Sequence, residues 1–251
     1  MIRLVKDDGC GNLSLVEQND DNIPRYAILS HTWGEDGEEV TFKDFLEGNA
    51  KNKASYKKIE FCRKQAIRDG LQHFWVDTCC IDKSSSAELT EAINSMFRWY
   101  QNAFKCYVYL SDVSTSVNAT NVQSSLTTWE AAFRRSRWFR RGWTLQELIA
   151  PTSVEFFSQE GNRLGSKTLL EQQIHEITGI AIEALRGRPL TDFGVEVRLS
   201  WASHRETKKQ EDKAYSLLGI FNIHMSLRYG EGKEEAFQRL QKKIGKSSNR
   251  K

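Results

Sequence analysis

Tyr26-Ala27-Ile28-Leu29-Ser30, an apolar run after Pro24 that breaks off into His31-Thr32-Trp33-Gly34, sets the architecture of this chain. A short apolar run bounded by a proline and a polar, glycine-containing stretch predicts a buried strand running into a loop. The same figure recurs. His73-Phe74-Trp75-Val76 ends at Asp77-Thr78-Cys79-Cys80, and Cys106-Tyr107-Val108-Tyr109-Leu110 ends at Ser111-Asp112. Between the first two runs, residues 55–69 place Ile59, Cys62, Ala66 and Ile67 on one helical face, and Gly70 supplies the stop. Between the next two, Ser85 and Glu88 have capping-box spacing and open a helix with the stripe Leu89, Ile93, Met96, Phe97, Tyr100. Strands separated by helices predict βαβ units, hence an α/β fold with a mostly parallel sheet flanked by helices.

Further along, the Ser/Thr/Asn-rich stretch 114–128 predicts an exposed loop, and Thr127 with Glu130 predicts the cap of a short helix carrying Trp129 and Phe133. Five arginines follow within residues 134–141, interleaved with Trp138 and Phe139. Residues 143–150 predict one more helix, stopped by Pro151, and Val154-Glu155-Phe156-Phe157 a fourth strand. Beyond it the pattern is mainly helical, near 169–177, 212–221 and 234–244, and no internal repeat is visible.

Composition narrows the function classes. The 251 residues carry 36 Lys+Arg against 33 Asp+Glu, a net charge of +3 that falls short of a nucleic-acid footprint. Mean hydropathy is −0.57 and no apolar run approaches a membrane span, so neither a membrane nor nucleic acid is expected as a partner. The start, Met1 to Asp8, is charged at once and has no secretory h-region. Five cysteines, an odd and sparse set, fit free thiols in a reducing compartment, and a cytoplasmic protein is expected. There is no C-x-x-C pair, and adjacent Cys79 and Cys80 are poorly placed to share a metal, so no metal site is expected. G-x-G-x-x-G, H-E-x-x-H and G-x-S-x-G are absent, and Gly245-Lys246-Ser247 lacks the earlier glycine of a phosphate loop, Leu240 standing there.

In parallel sheets ligands bind outside the carboxyl ends of the strands. That rule singles out Ser30, His31, Trp33 and Gly34 after the first strand, Asp77, Thr78, Cys79 and Asp82 after the second, and Ser111 and Asp112 after the third. Each has a plainer reading: Asp77 and Asp112 as caps of turns, His31 as a core histidine, Trp33 as packing, Cys79 and Cys80 as small buried hydrophobes. A Cys80–His31 thiol–imidazole pair stays open. The arginine run reads as a solvated or partner-binding patch. Glu147 stands between Leu145 and Leu148 and shares a helical face with Trp143. It is either a desolvated acid of raised pKa or a surface glutamate paired with Arg140 or Arg141, and spacing leaves the two level.

Residues 26–34, 74–83 and 138–148 resemble the three signature motifs of the fungal heterokaryon-incompatibility (HET) domain. Residues 212–219 and Tyr229-Gly230-Glu231-Gly232 resemble that family's C-terminal portion, so the likeness covers nearly all of 1–251 as one such domain. It implies an effector module of self/non-self recognition and innate immunity that triggers cell death, acts as a homo-oligomer, and is often fused to or recruited by a nucleotide-binding oligomerisation receptor. No such receptor region is present, which implies a stand-alone protein or a cut-out effector domain. More distantly, Trp143-Thr144-Leu145-Gln146-Glu147-Leu148 is similar to the Trp-Cys-x-x-Glu-Leu motif of plant Toll/interleukin-1 receptor (TIR) domains. That likeness implies a TIR-like, flavodoxin-like core over 1–157, with an insertion around 113–128 and a mainly helical extension over 158–251.

It also implies NAD cleavage at the nicotinamide–ribose bond, with NAD as substrate and no cofactor. Glu147 becomes the catalytic residue, and Ser30, His31, Trp33, Gly34, Asp77, Thr78, Asp82 and Trp143 the substrate-binding set. Such cleavage passes through an oxocarbenium-like state that one carboxylate stabilises, and Trp33 or Trp143 supplies a stacking face. The chain departs from TIR domains at Thr144 in place of Cys, in the insertion, and in the hundred or so residues after the motif. The competing expectation is a non-enzymatic module that kills by self-assembly or partner recruitment.

Overall fold

In a computed structural model that describes residues 1–35, 37–116 and 125–248, the chain builds one seven-stranded sheet with helices on both faces. Its strands are β1 (Ile2–Asp7), β2 (Leu13–Gln18), β3 (Tyr26–His31), β4 (His73–Trp75), β5 (Lys105–Tyr109), β6 (Val154–Phe157) and β7 (Arg163–Ser166), in the order β2-β1-β4-β3-β5-β6-β7. The four runs that alternate with helices are β3, β4, β5 and β6, and all their pairings are parallel. Ile28 sits opposite both Trp75 and Cys106. Every residue of β3 is buried, as a strand covered on both faces demands. Taken in chain order these four lie second, first, third, fourth, so the winding reverses between β3 and β5.

The centre of the sheet is parallel as expected, and antiparallel strands are added at both edges. β1 pairs antiparallel with both β2 and β4, and β7 pairs antiparallel with β6, so the sheet is mixed. The β1–β2 hairpin turns at Asp8, whose carboxylate accepts from the backbone of Cys10 and Asn12, with Gly9 and Gly11 at positive φ. Antiparallel edges of this kind close off a parallel centre without further crossover helices.

Strand alternation assigns the helices to faces. Tyr107 and Tyr109 of β5 meet the helix Tyr56–Arg68, through Tyr107 Oη to Asp69 at 2.5 Å and the ring pair Phe61–Tyr109. Tyr26 and Ser30 of β3 and Cys106 of β5 face the helices Ser86–Asn102 and Thr144–Ile149. Tyr56–Arg68 buries Ile59, Cys62 and Ala66 as expected, but Ile67 is 50 % exposed, one position past the edge of the stripe. Ser85 caps the next helix by accepting from Glu88 N, but the capping box is only half formed. The Glu88 carboxylate turns instead to Asp82 N and Arg3.

Of the expected loop and insertion, residues 117–124 lie outside the described residues. Ser114, Thr115 and Ser116 fold over the Glu160 carboxylate. The helix that follows runs Ser125–Arg135, so Thr127 and Glu130 lie inside it and not at its start. The arginine run is no uniform surface patch: Trp138 and Phe139 are buried between exposed arginines. After β7 the chain is mainly helical, with helices Glu171–Thr178, Ile182–Leu185, Val195–Ser200, Asp212–Tyr215 and Gly232–Ser248. The helix expected over 212–221 stops at Tyr215, and turns carry the chain across the helix Ser86–Asn102. There Gly219 lies so close to Phe97 that a Cβ would stand 2.1 Å from the Phe97 Cβ.

Gly219→Ala therefore forces the turn and the helix apart. We expect a loss of about 1–3 kcal/mol in urea denaturation, as for other overpacked cores. A change under about 0.5 kcal/mol, the size of an ordinary surface effect, contradicts this packing.

Candidate active site

Successive residues at the carboxyl end of β3 point to opposite faces of the sheet, and each begins a polar group of its own. On the face of the helix Thr144–Ile149, Ser30 Oγ donates to Glu147 Oε2 and accepts from Trp138 Nε1 at 2.8 Å. Tyr100, whose hydroxyl donates to Leu29 O at 2.9 Å, stands beside the same carboxyl. Glu147 is only 6 % exposed. Burial pushes its pKa up to about 8; Ser30 opposes the shift, Asp77 adds to it, and Arg141 opposes it. Of the two sequence readings of Glu147, the geometry matches the desolvated acid: no ion pair with Arg140 or Arg141 forms, though Arg141 acts on it from a distance.

The helix carrying Glu147 is fixed at its start by Thr144. Its Oγ lies 2.6 Å from Trp138 O and 2.9 Å from Arg141 O, and accepts from Arg205 at 2.8 Å. Arg205 also donates to Arg141 O, and burial lowers its guanidinium to about 9 against the pull of Glu147. Gly142 and Arg140 pair through their backbones with Glu206, so closely that a Cβ on Gly142 would meet Thr207 at 2.4 Å. The hydroxyl of Thr144 thus makes contacts that the thiol of a cysteine would make only weakly.

On the other face, His31 Nε2 lies 2.9 Å from Asp77 Oδ1, and Trp33 Nε1 donates to Asp77 Oδ2 at 2.8 Å. Lys83 Nζ sits 3.7 Å above the Trp33 ring and 3.9 Å from Asp77. Burial works against the Asp77 charge, but Lys83, His31 and Trp33 outweigh it and hold the carboxyl well below the usual range. Glu39 accepts from Gly34 N at 2.7 Å and from Lys58, which also reaches Thr32 O, so the loop after β3 is pinned on both sides. Above this layer opens a cleft of about 360 Å³ lined by Trp33, Gly34, Glu39, Thr78, Asp82 and Lys83.

Four of the residues singled out from the sequence, Trp33, Gly34, Thr78 and Asp82, line that cleft. Ser30, His31, Asp77 and Glu147 form the polar layers around the end of β3, and Glu147 itself does not line the cleft. Trp143 stands apart, donating Nε1–H to Asp212 at 3.2 Å in the C-terminal part. Asp112 reaches across the fold, accepting from Ser136 Oγ and Arg137 N at the start of the turn Arg137–Arg140. Asp77 gives both oxygens to side chains. Cys79 and Cys80 are buried, with the contact to Cys80 and then burial keeping the Cys79 thiol high, and His31 turns to Asp77. Spacing did not reveal Trp138, Tyr100, Arg205 or the Glu39–Lys58 pair as partners. Trp138 and Lys83 do lie within the quoted motifs, which is the signal that marks them.

A family model described as Heterokaryon incompatibility protein (HET) matches residues 26–125, from β3 to the start of the helix Ser125–Arg135, and stops short of Glu147. Vegetative incompatibility protein HET-E-1 of Podospora anserina is 57 % identical over 246 residues, 98 % of this chain and 18 % of that protein. The chain thus spans less than a fifth of that relative's length. No solved structure matches it. No helix among the described residues is long and apolar enough to cross a membrane.

The raised pKa of Glu147 gives stability a definite pH dependence. The folded state holds its proton from the unfolded value of 4.5 up to about 8, so this contribution is complete below 4.5 and is lost as pH rises through 8. Glu147→Gln removes the titration. The stability of the variant relative to the parent should rise by about 1.4 kcal/mol per pH unit across that window. Parallel urea curves for the two proteins from pH 4 to pH 9 would refute the buried, protonated acid.

Proposed function

Because the chain belongs to the heterokaryon-incompatibility (HET) family, we propose that it is a cell-death effector of self/non-self recognition that cleaves NAD at the nicotinamide–ribose bond. The observation that carries this reading is the buried Glu147 carboxyl, held by Ser30 at the carboxyl end of β3 where the winding of the sheet reverses. In breaking that bond the electron pair goes to the nicotinamide nitrogen, which becomes neutral, and positive charge spreads over ribose C1′ and the ring oxygen. Glu147 as carboxylate stabilises that charge. Water then adds to C1′ and loses its proton to the carboxylate or to solvent.

A carboxyl of pKa about 8 is largely protonated at neutral pH. The cation of the nicotinamide ring favours the ionised form, so substrate binding expels the proton, and the developing charge meets an anion that water does not screen. Ser30 acts as a positioning residue: it donates to Glu147 while Trp138 fixes its own oxygen. The cleft walled by Trp33 and Lys83 offers a stacking face and a cation for the rest of the dinucleotide. Since Glu147 does not line that cleft, Trp138 or the loop after β3 has to shift for the two to meet. Self-association is a natural means of driving the shift, and a receptor that gathers copies of the domain would do the same.

The burial of Glu147 also favours a second reading, in which the acid only locks the fold and killing proceeds by assembly without turnover. One assay separates them. Purified protein at high concentration should release nicotinamide from NAD, more than linearly with protein concentration. Glu147→Gln should lower the rate by about 100-fold or more. The rate should climb from pH 6 to pH 8 as the free carboxyl ionises. Full turnover by Glu147→Gln removes it from catalysis, and killing by that variant at constant cellular NAD establishes the assembly reading.

A further inference from the structure

A cavity of about 770 Å³ lies on the far side of the Glu147 helix, where the C-terminal part meets the helix Ser86–Asn102. Its charge is one-sided: Arg98, Lys167, Arg186, Arg188 and Arg198 line it, and no Asp or Glu does. In a chain with nearly equal numbers of acids and bases, such segregation costs folding energy through like-charge repulsion. Arg186 and Arg188 find carboxylates outside the cavity, Glu171 and Asp192. Lys167 and Arg198 turn to backbone carbonyls. Lys167, 5 % exposed, donates through Nζ to Leu148 O and Pro151 O at 3.2 and 2.6 Å, and Arg198 donates to Ile220 O at 3.1 Å. The Nε of Arg198 is buried with no hydrogen-bond partner, while its guanidinium lies 4.5 Å above the Phe221 ring. An unpaired buried guanidinium N–H carries a desolvation penalty that an anion would relieve.

The remaining walls mix apolar side chains, Phe97, Leu185, Phe221 and Ile223 among them, with uncharged polar ones such as Asn94 and Gln101. A cavity of this size, lined by cations, aromatic and aliphatic side chains and uncharged polar groups, suits a ligand with a flat body and a concentrated negative charge. Arg186 and Arg188 already face carboxylates, which leaves Lys167 and Arg198, held by backbone carbonyls, as two cations for the charged groups of a diphosphate. From this we infer that the cavity binds a soluble organic diphosphate of the nucleoside-diphosphate class, at a site separate from Glu147. Its floor includes Ile149 and Ala150, and Lys167 holds the carbonyl of Leu148, so the bound ligand abuts the end of the helix that carries the acid.

ADP, inorganic pyrophosphate and adenosine serve as probes, read by calorimetry and by the shift in Tm of the whole chain. ADP and pyrophosphate should bind and raise Tm, less so as salt rises, while adenosine should do neither. Arg98→Gln and Arg198→Gln should each weaken ADP binding about tenfold or more, and Arg134→Gln, outside the cavity, should leave it unchanged. Thr191→Glu, which adds an acid at an exposed position of the lining without touching the core, should abolish binding even if an arginine variant fails to fold. The inference is overturned if ADP does not bind, if adenosine binds as well as ADP, or if ADP binding survives Thr191→Glu.

Discussion

A carboxyl group shut away from water at the end of a central strand constrains everything around it. Glu147 has no cation in contact with it; what it has is Ser30, and Ser30 is in turn fixed by the indole of Trp138. A group that keeps its proton near neutral pH tolerates burial only while these partners stay in place. The short helix Thr144–Ile149 is too brief to hold them by itself. Its first residue is clasped instead by two carbonyls and by Arg205, sixty-one positions away. The position of the acid therefore depends on the second half of the chain as much as on the sheet.

β3 serves two polar layers because its residues alternate. Ser30 faces the acid and His31 faces Asp77, so one strand end joins a protonated carboxyl on one face to a strongly ionised one on the other. The environments differ in a single respect. Asp77 has the charge of Lys83 nearby and His31 and Trp33 as hydrogen-bond partners, whereas burial dominates at Glu147. Two carboxyls with pKa values pushed in opposite directions, close enough to influence each other, are the arrangement expected where charge has to develop on a substrate.

The four parallel strands were legible because each is a compact apolar run with a polar stop, and residues covered on both faces cannot be anything else. β1 and β2 were not, since Arg3, Lys6 and Glu17 break up the apolar pattern of strands that face water on one side. Ile67 misled because a helical stripe has an edge, and one residue more rotates out of it. The polar stops correctly marked Trp33, Gly34, Thr78 and Asp82 as neighbours of one cleft. Glu147 stayed ambiguous because its decisive contact, with Ser30, spans 117 positions, and no local periodicity carries such information. Trp143 was misplaced for a related reason: sharing a helical face with Glu147 did not anticipate Asp212, which draws the indole away.

The clasp of Arg205 on Thr144 and the backbone pairing of Gly142 with Glu206 bear on how such domains diversify. Recombination that exchanges only the first 160 or so residues between homologues would bring together a helix and a latch shaped by different histories. The Thr207 methyl group, which already fills the space a side chain at residue 142 would need, leaves little tolerance for a mismatched pair. Inheritance of the two halves is then coupled. Viable shuffling of this module should break at its outer borders, and changes near residue 142 should travel with compensating changes near residue 206.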